Sequence, residues 1–194
     1  ALAETDPAAL TQAMLALARN GAKSQEGAIL DKLLGIDYQQ LSPARQTDLL
    51  RTMEVTLSRM GMPDESRKAK IISQLGPKYP AEGNILNRLL SKVLAYAGDP
   101  QIVSKTLALI DRSTDNDTLQ KMANQSSSLL DRNPQYGKDV ANMIAKQPPA
   151  QQIYLAIVLS DVKNGWTPET REKYFKLYPL FFGRKGGNSY VGYI

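Results

Sequence analysis

The chain has 194 residues, of which 42% are apolar and 22% charged, an ordinary composition for a globular domain. Histidine and cysteine are both absent, which excludes imidazole ligands and bases, thiolate nucleophiles, disulfides and covalent haem attachment within these residues. The net charge is +5, but the basic residues are interspersed with acidic ones, so nucleic-acid binding is disfavoured, and no apolar run approaches the roughly 20 residues of a transmembrane helix.

A side-chain acceptor followed by proline recurs along the chain and predicts where helices begin. The acceptor suits the N-cap and proline suits the first helical position, where its missing N–H costs nothing. These pairs are Asp6-Pro7, Ser42-Pro43, Asp99-Pro100, Asn133-Pro134 and Thr167-Pro168. Glycines are predicted to end helices in the left-handed conformation at Gly21, Gly61, Gly76, Gly98 and Gly165.

Between these marks, apolar residues recur every three or four positions, as on the buried face of a helix. Examples in chain order are Leu10 and Met14, then Leu49 and Met53, Leu90 and Val93, Val103 and Leu107, and Ile153 and Ile157. We predict ten helices, beginning near residues 7, 24, 43, 64, 82, 100, 116, 135, 149 and 168, and no strand.

Taken in pairs, these helices repeat at steps of about 33 to 39 residues, the period of helix-pair repeat proteins. The fixed Trp, Gly, Tyr and Ala positions of the tetratricopeptide repeat are missing. The expected fold is therefore all-α: a right-handed, HEAT-like α-solenoid of about five helix pairs, forming a single domain over residues 1–194. A compact, non-repetitive bundle is the alternative.

The chain lacks an initiator methionine and closes on the apolar run Tyr190–Ile194. We expect a segment of a longer polypeptide that continues beyond Ile194.

From about residue 45 onwards, the sequence resembles the helical region of large secreted bacterial haem-binding or membrane-bound dehydrogenase-like proteins. The residues that carry the resemblance are Leu57-Ser58-Arg59-Met60-Gly61, Tyr79-Pro80, Asn87-Arg88-Leu89-Leu90, Leu94-Ala95-Tyr96-Ala97-Gly98-Asp99-Pro100, Gly165-Trp166-Thr167, Arg171, Tyr174-Phe175 and Gly186-Gly187-Asn188-Ser189-Tyr190. In those proteins, HEAT-like repeats lie beside a β-propeller and a c-type cytochrome domain.

The resemblance implies a periplasmic or extracellular location. Because the chain has no Cys-x-x-Cys-His motif, any haem c would belong to flanking sequence, and we expect no cofactor in this segment.

Six residues of these motifs are expected to serve structure. Asn87 and Arg88 are predicted to bond carbonyls at the end of a neighbouring helix. Trp166 and the Thr167 cap are predicted to fasten the incoming loop onto the last helix. Gly186 and Gly187 are predicted to form a tight interhelical loop, with anion binding as the alternative.

No catalytic, cofactor-binding or metal-binding residue is predicted. Ser160 and Lys163 have the Ser-x-x-Lys spacing of penicillin-recognising enzymes, which would put hydroxyl and amine on one helical face, but the companion motifs are missing. The acidic run from Asp111 to Asp117 lacks the glycine and the closing glutamate of a calcium loop, so helix capping is the preferred interpretation.

Two functions follow. The first is a non-catalytic scaffold or protein-interaction module that positions partner proteins or neighbouring domains. The second, implied by the resemblance, is a helical spacer in a secreted cytochrome-bearing oxidoreductase, contributing to an interdomain electron-transfer interface without holding the cofactor.

Overall fold

A computed structural model describes residues 2–113, 135 and 150–182. These residues form helices and short 3-10 turns, with no strand among them, so the all-α prediction is confirmed for the described chain. The helices are α1 Pro7–Asn20, α2 Glu26–Leu34, α3 Pro43–Met60, α4 Glu65–Leu75, α5 Asn84–Ala97, α6 Ile102–Arg112, α7 Ala150–Ser160, α8 Pro168–Phe175 and α9 Tyr178–Phe182. The 3-10 turns are Lys23–Gln25, Tyr38–Gln40 and Gly76–Lys78. None of the described helices has the length and apolarity needed to cross a membrane.

Three of the predicted proline starts are confirmed, at α1, α3 and α8. Asp6 accepts the Ala9 N–H at 2.8 Å, Ser42 accepts the Arg45 N–H at 3.4 Å, and Thr167 accepts the Thr170 N–H at 3.2 Å. The Asp99-Pro100 start is wrong by two residues: the Asp99 carboxylate binds the Gln101 N–H at 2.8 Å in a preceding turn, and α6 begins at Ile102. The Asn133-Pro134 pair lies outside the described residues.

Helix ends follow the glycine prediction only in part. Gly98 closes α5 in the left-handed conformation, with φ 79° and ψ 34°. Gly61 ends α3 with a positive φ of 117°, but in an extended rather than a left-handed helical conformation.

At Gly21 and Gly76 the predicted helix end is confirmed but the left-handed conformation is wrong, and at Gly165 the predicted helix end is wrong. Gly21 ends α1 with φ −81°, and its role is close approach: a Cβ there would lie 2.6 Å from the Leu17 carbonyl oxygen. Gly76 keeps a helical φ of −56° because the chain continues into a 3-10 turn. Gly165 has a positive φ, but it lies in the loop after α7 has ended at Ser160.

The chain divides into two compact units. The first comprises Ala1–Thr106 with Asp161–Gly165, and the second Leu107–Ser160 with Trp166–Ile194.

Within the first unit, helices pack both on the next helix but one along the chain and on sequence neighbours. α3 packs against α1 on one side and α5 on the other, while α2 contacts α1, α3 and α4, and α4 also contacts α5. The fully buried side chains of this core include Met14, Ile29, Leu30, Leu33, Leu49, Leu50, Met53, Ile71, Leu75, Leu90 and Leu94. Removing such side chains from water provides the main driving force for stacking.

Polar contacts also join α3 to its two neighbours. The buried Glu54 carboxylate accepts from Arg51 at 2.6 Å and from Lys92 of α5 at 2.8 Å. The Arg59 guanidinium donates to the Arg19 carbonyl at the end of α1, at 2.8 Å. A buried carboxylate is tolerated here because two cations compensate its lost hydration.

The described part of the second unit is held by polar contacts from α7 and α8. Gln152 donates to the Ile110 carbonyl at 2.9 Å, and the Tyr174 hydroxyl donates to the Ala156 carbonyl at 3.1 Å. Apolar residues of α7, among them Ile153, Leu155 and Leu159, are buried.

A buried phenol links the segment after α4 to α6 in the first unit. The Tyr79 hydroxyl lies 2.9 Å from the Thr106 hydroxyl, and both residues are almost completely buried. Burial raises the pKa of Tyr79 to about 12, because a phenolate would be desolvated there.

The raised pKa predicts an alkaline instability that Tyr79→Phe should remove. Between pH 10 and 12 the unfolded chain loses the phenol proton while the folded chain keeps it, so wild-type unfolding free energy should fall by an extra ~1.4 kcal/mol per pH unit. Denaturant unfolding of wild type and Tyr79→Phe at several pH values measures this difference. Thr106→Val is the control: it removes the hydrogen bond but keeps the phenol, and should retain the extra slope. Equal slopes in all three proteins would contradict the assignment.

Candidate functional site

The first unit carries an open cleft of about 730 Å³ beside α1 and α2. Most of the surface that lines the cleft is apolar, and the lining also includes several polar residues. The lining residues are Leu2, Thr5, Pro7, Leu10, Ala28, Asp31, Lys32, Gly35, Ile36, Asp37, Gln40 and Leu41. Its volume falls within the range of ligand-binding pockets, and the cleft is open to solvent.

Local backbone chemistry fixes the far wall of the cleft, where α2 ends. The Ile36 N–H bonds the Leu33 carbonyl at 3.2 Å, and the Asp37 carboxylate accepts the Gln39 N–H at 3.0 Å. Gln46 of α3 donates to the Tyr38 carbonyl at 3.1 Å and so holds the turn against α3. Half-buried Ile36 is therefore presented on a fixed wall rather than on a free loop.

An ion-pair cluster joins α2 to α4 beside the cleft. The Arg67 guanidinium binds Asp31 through two hydrogen bonds, of 3.0 and 2.6 Å, and also binds Asp64. The hydrogen bonds from Arg67 lower the pKa of Asp31. Gly27 makes room for this cluster, since a Cβ there would lie 2.8 Å from the guanidinium carbon.

Glu26 lies beside the same cluster, and burial raises its pKa. Its Oε1 atom is buried and has no hydrogen-bond partner within the described residues. Arg67 is shared between Asp31 and Asp64, so the lining residue Asp31 is held in an ion pair with α4.

A second, more polar cleft of about 500 Å³ lies across the Gly35–Asp37 wall from the first. Gln74 donates to the Leu34 carbonyl there at 3.2 Å, which ties α4 to the end of α2. The Tyr38 hydroxyl is buried without a partner in the described chain, and burial raises its pKa.

The structure places the predicted structural residues away from the cleft. Asn87 is buried and forms paired hydrogen bonds with the backbone of one residue, accepting the Ala81 N–H at 2.7 Å and donating to the Ala81 carbonyl at 2.8 Å. The predicted partner, a carbonyl at the end of a neighbouring helix, is wrong, because the chain before α5 folds back along its first turn. Arg88 is half-buried, and its carbonyl accepts the Ser91 hydroxyl at 3.0 Å.

Trp166 and Thr167 both make contacts with α8. The Trp166 ring meets the Tyr174 ring edge to face at 5.2 Å, and Thr167 forms a reciprocal capping pair with Thr170. Gly186 and Gly187 lie outside the described residues, so their predicted loop stays a prediction.

The chemical candidates do not assemble. α7 ends at Ser160, whose hydroxyl donates to the Ile157 carbonyl at 2.7 Å, so Ser160 and Lys163 do not share a helical face. Within the described ranges no group of three or more acidic residues is arranged to hold a metal ion. Of the acidic run, Asp111 and Arg112 end α6, and residues 114–117 are outside the described part.

Sequence reasoning missed the cleft itself. Its wall residue Ile36 stands between Gly35 and Asp37, outside the apolar period of any helix. An isolated apolar residue between a helix-ending glycine and a turn-forming aspartate was the available signal. What it could not show is that α1 lies opposite this wall.

No protein family, curated protein or solved structure matches this chain. The resemblance to haem-protein helical regions therefore stays a prediction from the sequence.

The Asn87 contact predicts a specific loss of stability. Asn87→Ala leaves both polar groups of Ala81 without their partners and should lower the unfolding free energy by about 2 kcal/mol. Denaturant titration followed by circular dichroism measures the loss. Asn20→Ala, which removes one exposed bond to the Ala16 carbonyl, is the control and should cost less than about 0.5 kcal/mol. Similar losses in both variants would contradict the assigned role.

Proposed function

We propose that this chain is a non-catalytic protein-interaction module that holds a partner protein or a neighbouring domain in a fixed position. The observation that carries the proposal is the open apolar cleft on a rigid frame. Its wall is fixed to α3 through Gln46 and its floor includes buried Leu10 of α1. When a partner binds a rigid apolar site, few side chains or loops of the host protein must become ordered, so little conformational entropy is lost.

The alternate packing of the helices supports a solenoid-like frame as part of this proposal. In helix-pair repeats, each first helix contacts the next first helix and each second helix the next second helix. The α1–α3–α5 and α2–α4 contacts follow that rule. We infer a HEAT-like stack, in which an open surface remains along one layer.

The sequence resemblance adds a location to the proposal: outside the cytoplasm, beside a cytochrome domain of the same polypeptide. A haem absorption spectrum of the native polypeptide tests that addition separately.

Ile36→Asp should weaken partner binding at the cleft. A charge on the apolar wall opposes burial of an apolar partner group, and we expect at least about a tenfold loss of affinity. Native partners are captured from the source extract on wild type and variants, identified by mass spectrometry, and titrated individually.

Ile85→Asp is the matched control, because Ile85 is 64% exposed on α5 and does not line either cleft. Thermal melting followed by circular dichroism confirms that both variants fold. Retention of every wild-type partner by Ile36→Asp, or equal losses in the two variants, would reject the cleft as the binding surface.

A further inference from the structure

We propose that Asn164 is a site of spontaneous covalent modification in the folded protein, converted through a succinimide to aspartate and isoaspartate. The chain contains two Asn-Gly pairs, Asn20-Gly21 and Asn164-Gly165. In such a pair the succinimide ring closes with least steric hindrance, because the glycine has no Cβ to obstruct the approach. The fold protects the first pair and leaves the second open to reaction.

The reaction needs only the two residues and water. The backbone nitrogen of Gly165 loses its proton to solvent and attacks Cγ of Asn164, so that a C–N bond forms. The bond from Cγ to Nδ2 then breaks, and the nitrogen takes up a proton and leaves as ammonia. Water, the co-reactant, opens the ring at either carbonyl carbon. Opening at Cγ gives aspartate, and opening at the backbone carbonyl gives isoaspartate, with no change in oxidation state.

Asn164 and Gly165 meet the requirements of this reaction. Both residues are exposed, and they lie in a bend between α7, which ends at Ser160, and α8, which begins at Pro168. Within the described chain, neither the Asn164 side-chain amide nor the Gly165 N–H has a hydrogen-bond partner. No hydrogen bond therefore has to break before the Gly165 nitrogen can attack.

The other pair lies at the end of α1, where both of the reacting groups are already hydrogen-bonded. The Gly21 N–H donates to the Leu17 carbonyl at 2.7 Å, and the Asn20 side-chain amide donates to the Ala16 carbonyl at 3.1 Å. Asn20 also belongs to the helix, whose backbone does not place the next nitrogen for attack on Cγ. Reaction at Asn20 therefore has to wait for the last turn of α1 to open.

The isoaspartate product alters the loop as well as the charge. It lengthens the main chain by one atom directly before Gly165, which has a φ of 83°. Gly165 packs closely at this point, since a Cβ there would lie 3.1 Å from the Pro100 carbonyl oxygen. Aspartate adds the same negative charge but leaves the main chain unchanged. Isoaspartate should therefore disturb the contact with Pro100, and aspartate should preserve it.

Incubation of the whole chain at mildly alkaline pH tests the proposal. Samples taken over time are acidified and digested with pepsin, and mass spectrometry quantifies each Asn-Gly peptide by the mass gained when –NH2 is replaced by –OH. In the folded protein, Asn164 should react at least about fivefold faster than Asn20. In urea that unfolds the chain, the two sites should react at similar rates, because both asparagines precede glycine.

Variants then separate the effect of the lengthened main chain from that of the charge. The isoaspartyl form, purified by chromatography, should unfold at a lower urea concentration than Asn164→Asp, which carries the new charge on a normal main chain. Asn164→Gln keeps a side-chain amide but would have to close a larger ring. It should remain unmodified at residue 164 and keep its urea midpoint throughout the incubation.

Equal rates at the two sites in the folded protein, or faster reaction at Asn20, would overturn the inference. A rate difference that persists unchanged in urea would also overturn it, because the difference would then come from the local sequence and not from the fold. An isoaspartyl form with the same urea midpoint as Asn164→Asp would contradict the assigned effect on the Gly165 contact.

Discussion

Burial of α3 between α1 and α5 is the interaction on which the first unit depends. Leu49, Leu50, Met53 and Leu57 of α3 are almost completely buried, and each buried side chain of this kind contributes about 1.5 to 3 kcal/mol. Two threonines are buried on the same helix because their hydroxyls bond carbonyls one turn earlier: Thr52 to Asp48 and Thr56 to Thr52, each at 2.8 Å. α3 can therefore be covered on several sides without unsatisfied hydroxyls.

The cleft depends on this frame at two points. Leu10 of α1 forms its floor from the core, and Gln46 of α3 holds the turn that follows the Ile36 wall. The Arg67 cluster adds a third constraint by joining α2 to the start of α4 through Asp31 and Asp64. The walls of the cleft thus belong to different helices, and these contacts hold the cleft in place although a turn forms part of it.

The sequence predicts helix positions well because capping is local. Asp6, Ser42 and Thr167 act within three residues of themselves, and all three caps are confirmed. The sequence predicts the roles of glycines less well. Gly21 is needed because a Cβ would collide with the Leu17 carbonyl oxygen, and not because its φ is positive. The contacts of Asn87 and Ile36 depend on how the chain folds back, which the sequence does not show. Asn87 bonds Ala81, and Ile36 lines a cleft together with residues of α1.

Hydrogen exchange of the whole chain, resolved by residue, tests the central claim most directly. If α3 is the shared element of both packing contacts, its amides from Leu49 to Leu57 should exchange only through global unfolding, with protection equal to the unfolding free energy from denaturant titration. Amides of α1 and α5 should be protected to the same extent or less. Faster exchange in α3 than in α1 or α5 would contradict the account, because the frame of the cleft would then be held elsewhere.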